Sequence, residues 1–487
     1  MTANKPKALV PVDNLPIIFH LFRTYPSAHF TVIADYKKEV LEKYLRTFAT
    51  VRYSVVRASE KGTASGLGEA LEGIPDDTPF MLIWCDLILS HISGIPPKIE
   101  KNYVGISGNF ECRWSYQNSQ FKESASRENG VAGLFIFKDK SFLKNVPQNG
   151  ELVRWLATQN IPFERLEISG GIEIGTVLSY FQKELNKKKC RPFNKIEFSD
   201  TQARKIPLDK QGEKLIADEM SWYAKAMDLG FADIPKIYSR SSPLVMEKIN
   251  GENVYAYSFL TKYFKKALLG RIIDTLDKLH KLTVPVAASV EDCEENYVNK
   301  TFSRMEKIKD LVPFANDEYI KINDKICKNP FAIKEQIIKE IRAFYPSEFH
   351  FIHGDCTFSN IMIENEGVRP ILIDPRGYFG KTKFYGDIDY DWAKLYYSLC
   401  GDYDQFNRKN FSLLIGENSA DLTIVSNNWK DMEDVFFEKT QSDKRKIKLL
   451  HALIWLSLTT YAWEDYDAIC GAFYNGTLHL QEYLDNA

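Results

Sequence analysis

The sequence lacks the features that would place it in a membrane, in a disulfide scaffold or on a polyanion. No run of about 18 apolar residues occurs, so no membrane-spanning helix is expected. The N-terminus, MTANKPKALVPVDNLPIIFHLF, has no basic segment leading into an apolar core and a small-residue cleavage site, which points to a cytoplasmic chain. The eight cysteines (85, 112, 190, 293, 327, 356, 400 and 470) include no CxxC pair and no metal-ligand spacing. They read as reduced thiols in a chain too long to need stapling. Charge of one sign is also missing: 63 Lys and Arg face 65 Asp and Glu, a net charge of -2, so no basic field exists to hold nucleic acid. With 44% apolar and 26% charged residues there is ample material for folded cores, and 487 residues suggest about three domains or two larger ones.

Apolar runs alternate with helical patterns over residues 8 to 184, the pattern of an open α/β sheet. The strand candidates are Ala8 to Val12, Phe30 to Ala34, Val51 to Val56, Phe80 to Trp84, Val104 to Ser107, Gly133 to Phe137 and Phe163 to Leu166. Helical spacing marks Asn14 to Tyr25 and Tyr36 to Phe48. The basic stretch around NKKKCRPFNK, residues 186–195, has the composition of a solvated linker. Beyond it, strands are expected in Ile196 to Ile206 and Pro235 to Ile249, around a helix Gly212 to Leu229. From Tyr255 onward the pattern is mostly helical, interrupted only by short strands near Phe349 to His353, Ile361 to Glu364 and Pro370 to Asp374.

The strongest chemical signal is His353-Gly-Asp355-Cys-Thr-Phe-Ser-Asn360, followed by Ile371-Leu-Ile-Asp374-Pro-Arg-Gly. Phosphoryl transfer needs a carboxylate to accept the proton of the attacking hydroxyl, and oxygens that hold Mg²⁺ against the nucleotide phosphates. Asp355 precedes Asn360 by five positions, the spacing of the base and the metal-binding Asn in a protein-kinase catalytic loop. Asp374 then follows on a new strand. A turn and a strand end are common separately, but two such motifs in this order are not a plausible coincidence.

On these residues the region from about 196 to 487 resembles the aminoglycoside phosphotransferase and choline kinase family. Gly386-Asp387-Ile-Asp-Tyr390-Asp391-Trp-Ala-Lys394-Leu resembles that family's GD..YD.AKL helix start, and Leu279-His280 its earlier LH helix. The resemblance implies a protein-kinase-like α+β fold, with a small lobe at 196–254 and a helical lobe at 255–487. It also implies ATP and Mg²⁺ as cofactors and a small-molecule hydroxyl as substrate. Asp355 is then the catalytic base and Asn360 and Asp374 the Mg²⁺ ligands, while Asp387 and Asp391 brace the loop or cap a helix. A lysine for the phosphates and its positioning glutamate are also required. Lys205 and Glu219 are the candidates for nucleotide binding, with Arg204, Lys210 and Lys214 as rivals to Lys205. Leu244 to Gly251 resembles the hinge. No GxGxxG precedes Lys205; Phe198-Ser199-Asp200-Thr201 is the candidate phosphate-covering loop. Trp392, Tyr396, Trp455, Tyr461 and Trp463 are either core or a cation-binding wall.

Residues 1–185 resemble sugar-phosphate or phosphocholine-type nucleotidyltransferases, a Rossmann-like (GT-A) α/β fold. Five pieces carry the resemblance, in the family's order: Lys5-Pro6-Lys7, Lys61-Gly62-Thr63-Ala64, Leu82 to Asp86, Gly133 to Phe137 and Gly171-Ile-Glu173-Ile-Gly175-Thr176. It implies that Lys7 touches phosphate and that Asp86 and Glu173 hold a metal, Glu173 standing where the family usually has Asp. A second nucleoside triphosphate, CTP foremost, would bind there. The family's opening strand and glycine-rich, Arg-bearing loop have no counterpart before Lys5. The expectation is a catalytically dead remnant, or a chain that starts about 20 to 30 residues into a longer protein. An exposed sheet edge would then invite a partner, including a second copy.

Together these features lead to an expected kinase for an amino alcohol, polyol or sugar, fused to a nucleotidyltransferase-like domain and serving an activated precursor of surface or capsule glycans. The alternatives are a non-catalytic binding or regulatory protein, a fully bifunctional enzyme, or an antibiotic kinase.

Overall fold

The computed structural model describes residues 2–89, 95–176, 180, 194–239, 241–366 and 368–486. Of the expected linker only Asn194 and Lys195 fall within them; Cys190 lies outside. The chain divides into two compact units, residues 1–188 with Glu464–Tyr466 and residues 189–463 with 467–487.

The first unit is α/β. Strands His29–Ala34 and Arg52–Arg57 pair in parallel, linked by the helix Lys38–Phe48. A six-stranded sheet runs in the order Phe163–Ile168, Asn102–Ser107, Gly130–Phe137, Ser115–Gln117, Gln120–Lys122, and Phe80–Ile83 also pairs with Gly130–Phe137. Asn102–Ser107 and Gly130–Phe137 are buried at every position, and their centres, Val104–Ile106 and Val131–Phe137, carry no charged residue. Gly133, at φ 84°, sits where the register of its strand slips, and a Cβ there would meet the Trp84 ring at 2.2 Å. Among the described residues, His29–Ala34 and Phe80–Ile83 are each paired along one side only. Ala8 to Val12, expected as a sheet strand, is instead a 3₁₀ turn Lys7–Leu9 followed by Pro11–Val12, which pairs with Leu15–Pro16. Pro6, Pro11 and Pro16 lack the N–H groups that a central strand must donate.

The second unit opens with an antiparallel sheet, Asn194–Phe198, Gln202–Pro207 and Leu244–Glu247. The helix Lys210–Asp228 packs on it, started by Asp209, whose side chain accepts the Gly212 N–H at 2.8 Å. Ile216, Glu219, Tyr223 and Ala226 fall on its buried stripe at helical spacing. The remainder is built around the helices Lys262–His280, Lys300–Ile308, Ile388–Leu399 and Lys444–Leu458, with the strands Glu348–Phe351, Ile361–Glu364 and Arg369–Leu372 among them.

One expectation for this region is corrected. It is not helical apart from those strands: Tyr319–Ile322, Lys325–Lys328, Phe411–Ile415 and Ala420–Ile424 form a four-stranded sheet. Its first hairpin turns at Asn323-Asp324, both at positive φ, the geometry of a tight hairpin turn. Of the five aromatics read as either core or a cation-binding wall, three follow the core reading. Trp392, Tyr396 and Trp455 are buried core, and the Trp455 indole N–H donates to His451 Nε2 at 3.0 Å.

Candidate functional site

The loop His353 to Asn360 lies between two short strands and is fixed from below by Asp391. This fully buried carboxylate accepts the backbone N–H groups of His353 (2.9 Å) and Gly354 (2.7 Å), and His280 Nε2 lies 3.0 Å away. Removing it would leave buried amides and a histidine unpaired, a loss of about 3–5 kcal/mol. Gly354 has φ 82°, which lets the chain reverse beneath Arg376. Burial pushes His353 below its ordinary value. Its Nε2–H then donates to the Ile373 carbonyl (3.0 Å), and Nδ1 accepts the Asp355 N–H (3.3 Å). Asp387 caps the helix Ile388–Leu399, accepts the Tyr297 hydroxyl at 2.8 Å and pairs with Lys446 at 2.7 Å. Both aspartates thus hold the frame and do not face a reactant.

Asp355 sits on this frame with its carboxylate partly open. Lys394 Nζ lies 2.9 Å from Oδ1, and Asn360 Nδ2 donates to Oδ2 at 3.0 Å and to the Asp355 carbonyl at 2.9 Å. Burial alone would raise the Asp355 carboxyl, but the Lys394 ammonium, with smaller help from His353 and Arg376, outweighs it and holds the group below its ordinary range. Lys394 went unassigned in the sequence although it stands in the quoted helix motif; its place three residues after Asp391 puts both on the face toward the loop.

Lys205 and Glu219 meet: Nζ is 2.6 Å from Glu219 Oε2 and 2.5 Å from Asp374 Oδ1. Two carboxylates keep the Lys205 ammonium charged against the cost of its burial and raise it above its ordinary value. Arg204, the adjacent rival, is directed to the other side of its strand by the alternation of a pleated sheet. Tyr223, also without a role in the sequence reading, accepts the Asp374 N–H on its hydroxyl oxygen at 3.1 Å, where Asp374 is held at φ 56°. Phe198 to Thr201 forms the hairpin turn between the first two strands.

With its amide hydrogens spent on Asp355, Asn360 presents its Oδ1, and Asp374 presents a carboxylate whose side chain is 56% exposed. One carboxylate and one amide oxygen are hard ligands that suit Mg²⁺, an ion that completes its shell with phosphate and water. Among the described residues no group of three His, Cys, Asp or Glu could hold a metal by itself.

In the first unit, Lys7 Nζ contacts Asp86 Oδ2 at 2.7 Å. Glu173 pairs in register with Leu87, next to Asp86, and Ile174 N–H donates to the Asp86 carbonyl at 2.9 Å. Lys7, Asp86 and Glu173 are therefore brought together. Burial, then the Asp86 charge, pushes the Glu173 carboxyl above its ordinary value. A cavity of about 210 Å³ opens beside it, lined by Trp84, Phe110, Arg113, Trp114 and Glu173 among others.

Residues 204–412 match the sequence model of the phosphotransferase enzyme family. No curated protein is significantly similar to the chain. Similar solved structures include the gentamicin–APH(2'')-IIa complex (16% identity, TM-score 0.38, 58% of this chain and 87% of that one). They also include glucosamine kinase (14%, 0.41, 62% and 79%) and HddC from Yersinia pseudotuberculosis (13%, 0.32, 38% and 90%). No helix among the described residues is long and apolar enough to cross a membrane. The family match falls wholly within the second unit and takes in the His353–Asn360 loop, Asp374 and Lys394.

Proposed function

We propose that the second unit is an ATP- and Mg²⁺-dependent kinase that phosphorylates a hydroxyl of a small molecule. The observation that carries this reading is the Asp355 carboxylate. It is kept ionised between Lys394 and Asn360, on the same loop system in which Lys205 bonds both Glu219 and Asp374. Asp355 accepts the proton of the attacking hydroxyl; a new O–P bond forms to the γ-phosphorus while its bond to the β–γ bridging oxygen breaks, and ADP leaves. Lys205, positioned by Glu219, neutralises phosphate charge. Asn360 and Asp374 would hold Mg²⁺, which supplies charge neutralisation at the phosphates when bound.

The first unit supports a companion reading. Lys7, Asp86 and Glu173 converge as a nucleotidyltransferase-like site would require, so the phosphorylated product is of the kind that a nucleotidyltransferase consumes to make an activated glycan precursor. Such work belongs in the cytoplasm, where ATP is held.

Acceptor-dependent ADP release with Mg·ATP tests the kinase reading. Asp355→Asn should lower kcat by about 10² or more while leaving Mg·ATP affinity nearly intact, because the proton acceptor is lost and the metal ligands are not. Wild-type turnover in that variant removes Asp355 from the chemistry.

A further inference from the structure

Four basic side chains form one cluster that reaches Asp355 through Lys394, and only Lys394 is matched by a carboxylate. Lys300 and Arg304 stand four residues apart, hence on one face of the helix that continues the π turn Glu294–Asn299. Arg376 follows Asp374 by two residues, and Lys394 comes from the helix Ile388–Leu399. Three of the four converge on Tyr390. Lys300 Nζ lies 5.4 Å and Lys394 Nζ 5.8 Å from its ring centroid, while Arg376 Nη1 donates to its hydroxyl at 3.1 Å. Arg304 reaches the Ser457 carbonyl at 2.8 Å, with its guanidinium over the Tyr461 ring.

The partners of these groups are the telling feature. Asp355 pairs with Lys394. The hydrogen-bond acceptors of Lys300, Arg304 and Arg376 are all neutral: Asn296 Oδ1 at 2.8 Å, a carbonyl and a phenol. Among the described residues no carboxylate forms an ion pair with any of the three. Burial, then repulsion from Arg376, Arg304 and Lys394, pushes Lys300 well below its ordinary value. Two further donors nearby are buried and unfilled, Asn296 Nδ2–H and the Tyr397 hydroxyl. Asn296 is the residue whose oxygen holds Lys300, and Tyr397 lies within electrostatic reach of Asp355. Buried polar groups are rarely left without partners, so a basic cluster with two unfilled donors beside it calls for an acceptor from outside the chain.

Building on the kinase reading above, we infer that the acceptor hydroxyl belongs to an anion. The substrate is a small hydroxyl compound carrying a carboxylate or phosphate, received by Lys300, Arg304 and Arg376 while its hydroxyl faces Asp355. An anion supplies the missing counter-charge, and guanidinium groups suit the planar or tetrahedral oxygens of either group. A cationic substrate would add positive charge to a cluster in which only Lys394 has a carboxylate partner. Choline-like amines and aminoglycosides are thereby disfavoured as substrates of this chain, whatever the fold would allow.

The test uses the full chain. ADP release with Mg·ATP is measured on matched acceptors: glucuronate, glucose and glucosamine; glycerol 3-phosphate, glycerate, glycerol and ethanolamine. An anionic member should exceed its neutral partner at least tenfold in kcat/KM, with the amines last; a preference for the neutral or cationic member overturns the inference. Independently of turnover, glucuronate and glycerol 3-phosphate are titrated calorimetrically, with Mg·ADP present, into wild type, Lys300→Met, Arg304→Gln and Arg304→Lys. Affinity should fall about 10- to 100-fold in the first two variants and be largely restored in the third. Equal affinity in all four proteins, or no binding of either anion to wild type, overturns it. Whichever anion binds more tightly identifies carboxylate or phosphate as the recognised group. Mg·ATP titration into the same proteins reads the kinase assignment separately: loss of nucleotide binding in wild type would sink that assignment while the anion titration still decides this one.

Discussion

Each unit sets a lysine against two carboxylates, Lys205 with Glu219 and Asp374 in one, Lys7 with Asp86 and Glu173 in the other, and the supports beneath them differ. Glu219 stands on a capped helix of 19 residues, and Asp374 is fixed through its own N–H by Tyr223. Asp86 and Glu173 sit at the ends of two-residue strands. The electrostatics diverge as well. In the second unit Lys394 holds Asp355 below the ordinary carboxylate range, ready to accept a proton at neutral pH. In the first unit burial and Asp86 push Glu173 upward, so it gives up its proton less readily and makes a poorer metal ligand as pH falls. The lesson is that the residue types name a possible chemistry, while the second layer of hydrogen bonds decides whether they are organised for it.

The comparison is broken most severely by removing a member of the better-organised triplet. Asp374→Ala should take away the exposed carboxylate proposed to hold Mg²⁺ at the phosphates and leave Lys205 with Glu219 alone. Stabilisation by a metal ion is worth several kcal/mol, so turnover should drop about 10³-fold, with weakened Mg²⁺-dependent ATP binding in calorimetry. Unchanged affinity and turnover would show that Asp374 is outside the site.

A smaller effect, read in pH, sharpens the electrostatic half. The folded-state pKa of Asp355 is depressed by Lys394, so the base stays ionised into acid and is lost only as pH falls through that lowered value. In Lys394→Met the burial cost remains without its compensation, and the acidic limb of kcat/KM should move upward by about one pH unit or more. Turnover at pH 8 should change far less than turnover at pH 5. A limb that stays in place, with a uniform loss at every pH, would make Lys394 a packing residue only.

Legibility in the sequence followed the same divide. The HGD…N and IDPRG motifs were readable because phosphoryl transfer fixes residue type and spacing within one loop, and Asp391 because it shares a helix turn with Tyr390 and Lys394. Lys300, Arg304 and Tyr223 were not readable, since they reach the site from helices far away in sequence and no spacing rule links them to Asp355. The four-stranded sheet near Tyr319 was legible in principle: YIKI and KICK alternate around Asn-Asp, a hairpin signal that the helical surroundings obscured. Ala8 to Val12 is apolar enough for a strand, but Pro6 before it and Pro11 within it withhold the N–H groups a sheet strand donates.

The least effect, a null one, is expected where the support is weakest. Given CTP, UTP, GTP or dTTP and the phosphorylated product of the proposed kinase reaction, the chain should release no pyrophosphate above background. A triphosphate needs a cradle of free backbone N–H groups and fixed positive charge at the reacting phosphorus. Among the described residues around Lys7, several of those donors are missing or spent. Pro6, Pro11 and Pro16 have none, Leu9 N–H is bonded to the Pro6 carbonyl, Val10 N–H to that of Lys7, and Ile17 N–H to that of Val10. Lys7 itself is paired with Asp86 at 2.7 Å, so the charge that should meet a phosphate already has a partner. The four nucleotides are assayed separately by coupled pyrophosphate detection, with ADP release by the same preparation as proof of a folded, active chain. Robust release that Glu173→Ala abolishes would show that Lys7, Asp86 and Glu173 suffice without the amide cradle, and the two sites would then be equals in chemistry despite their unequal supports.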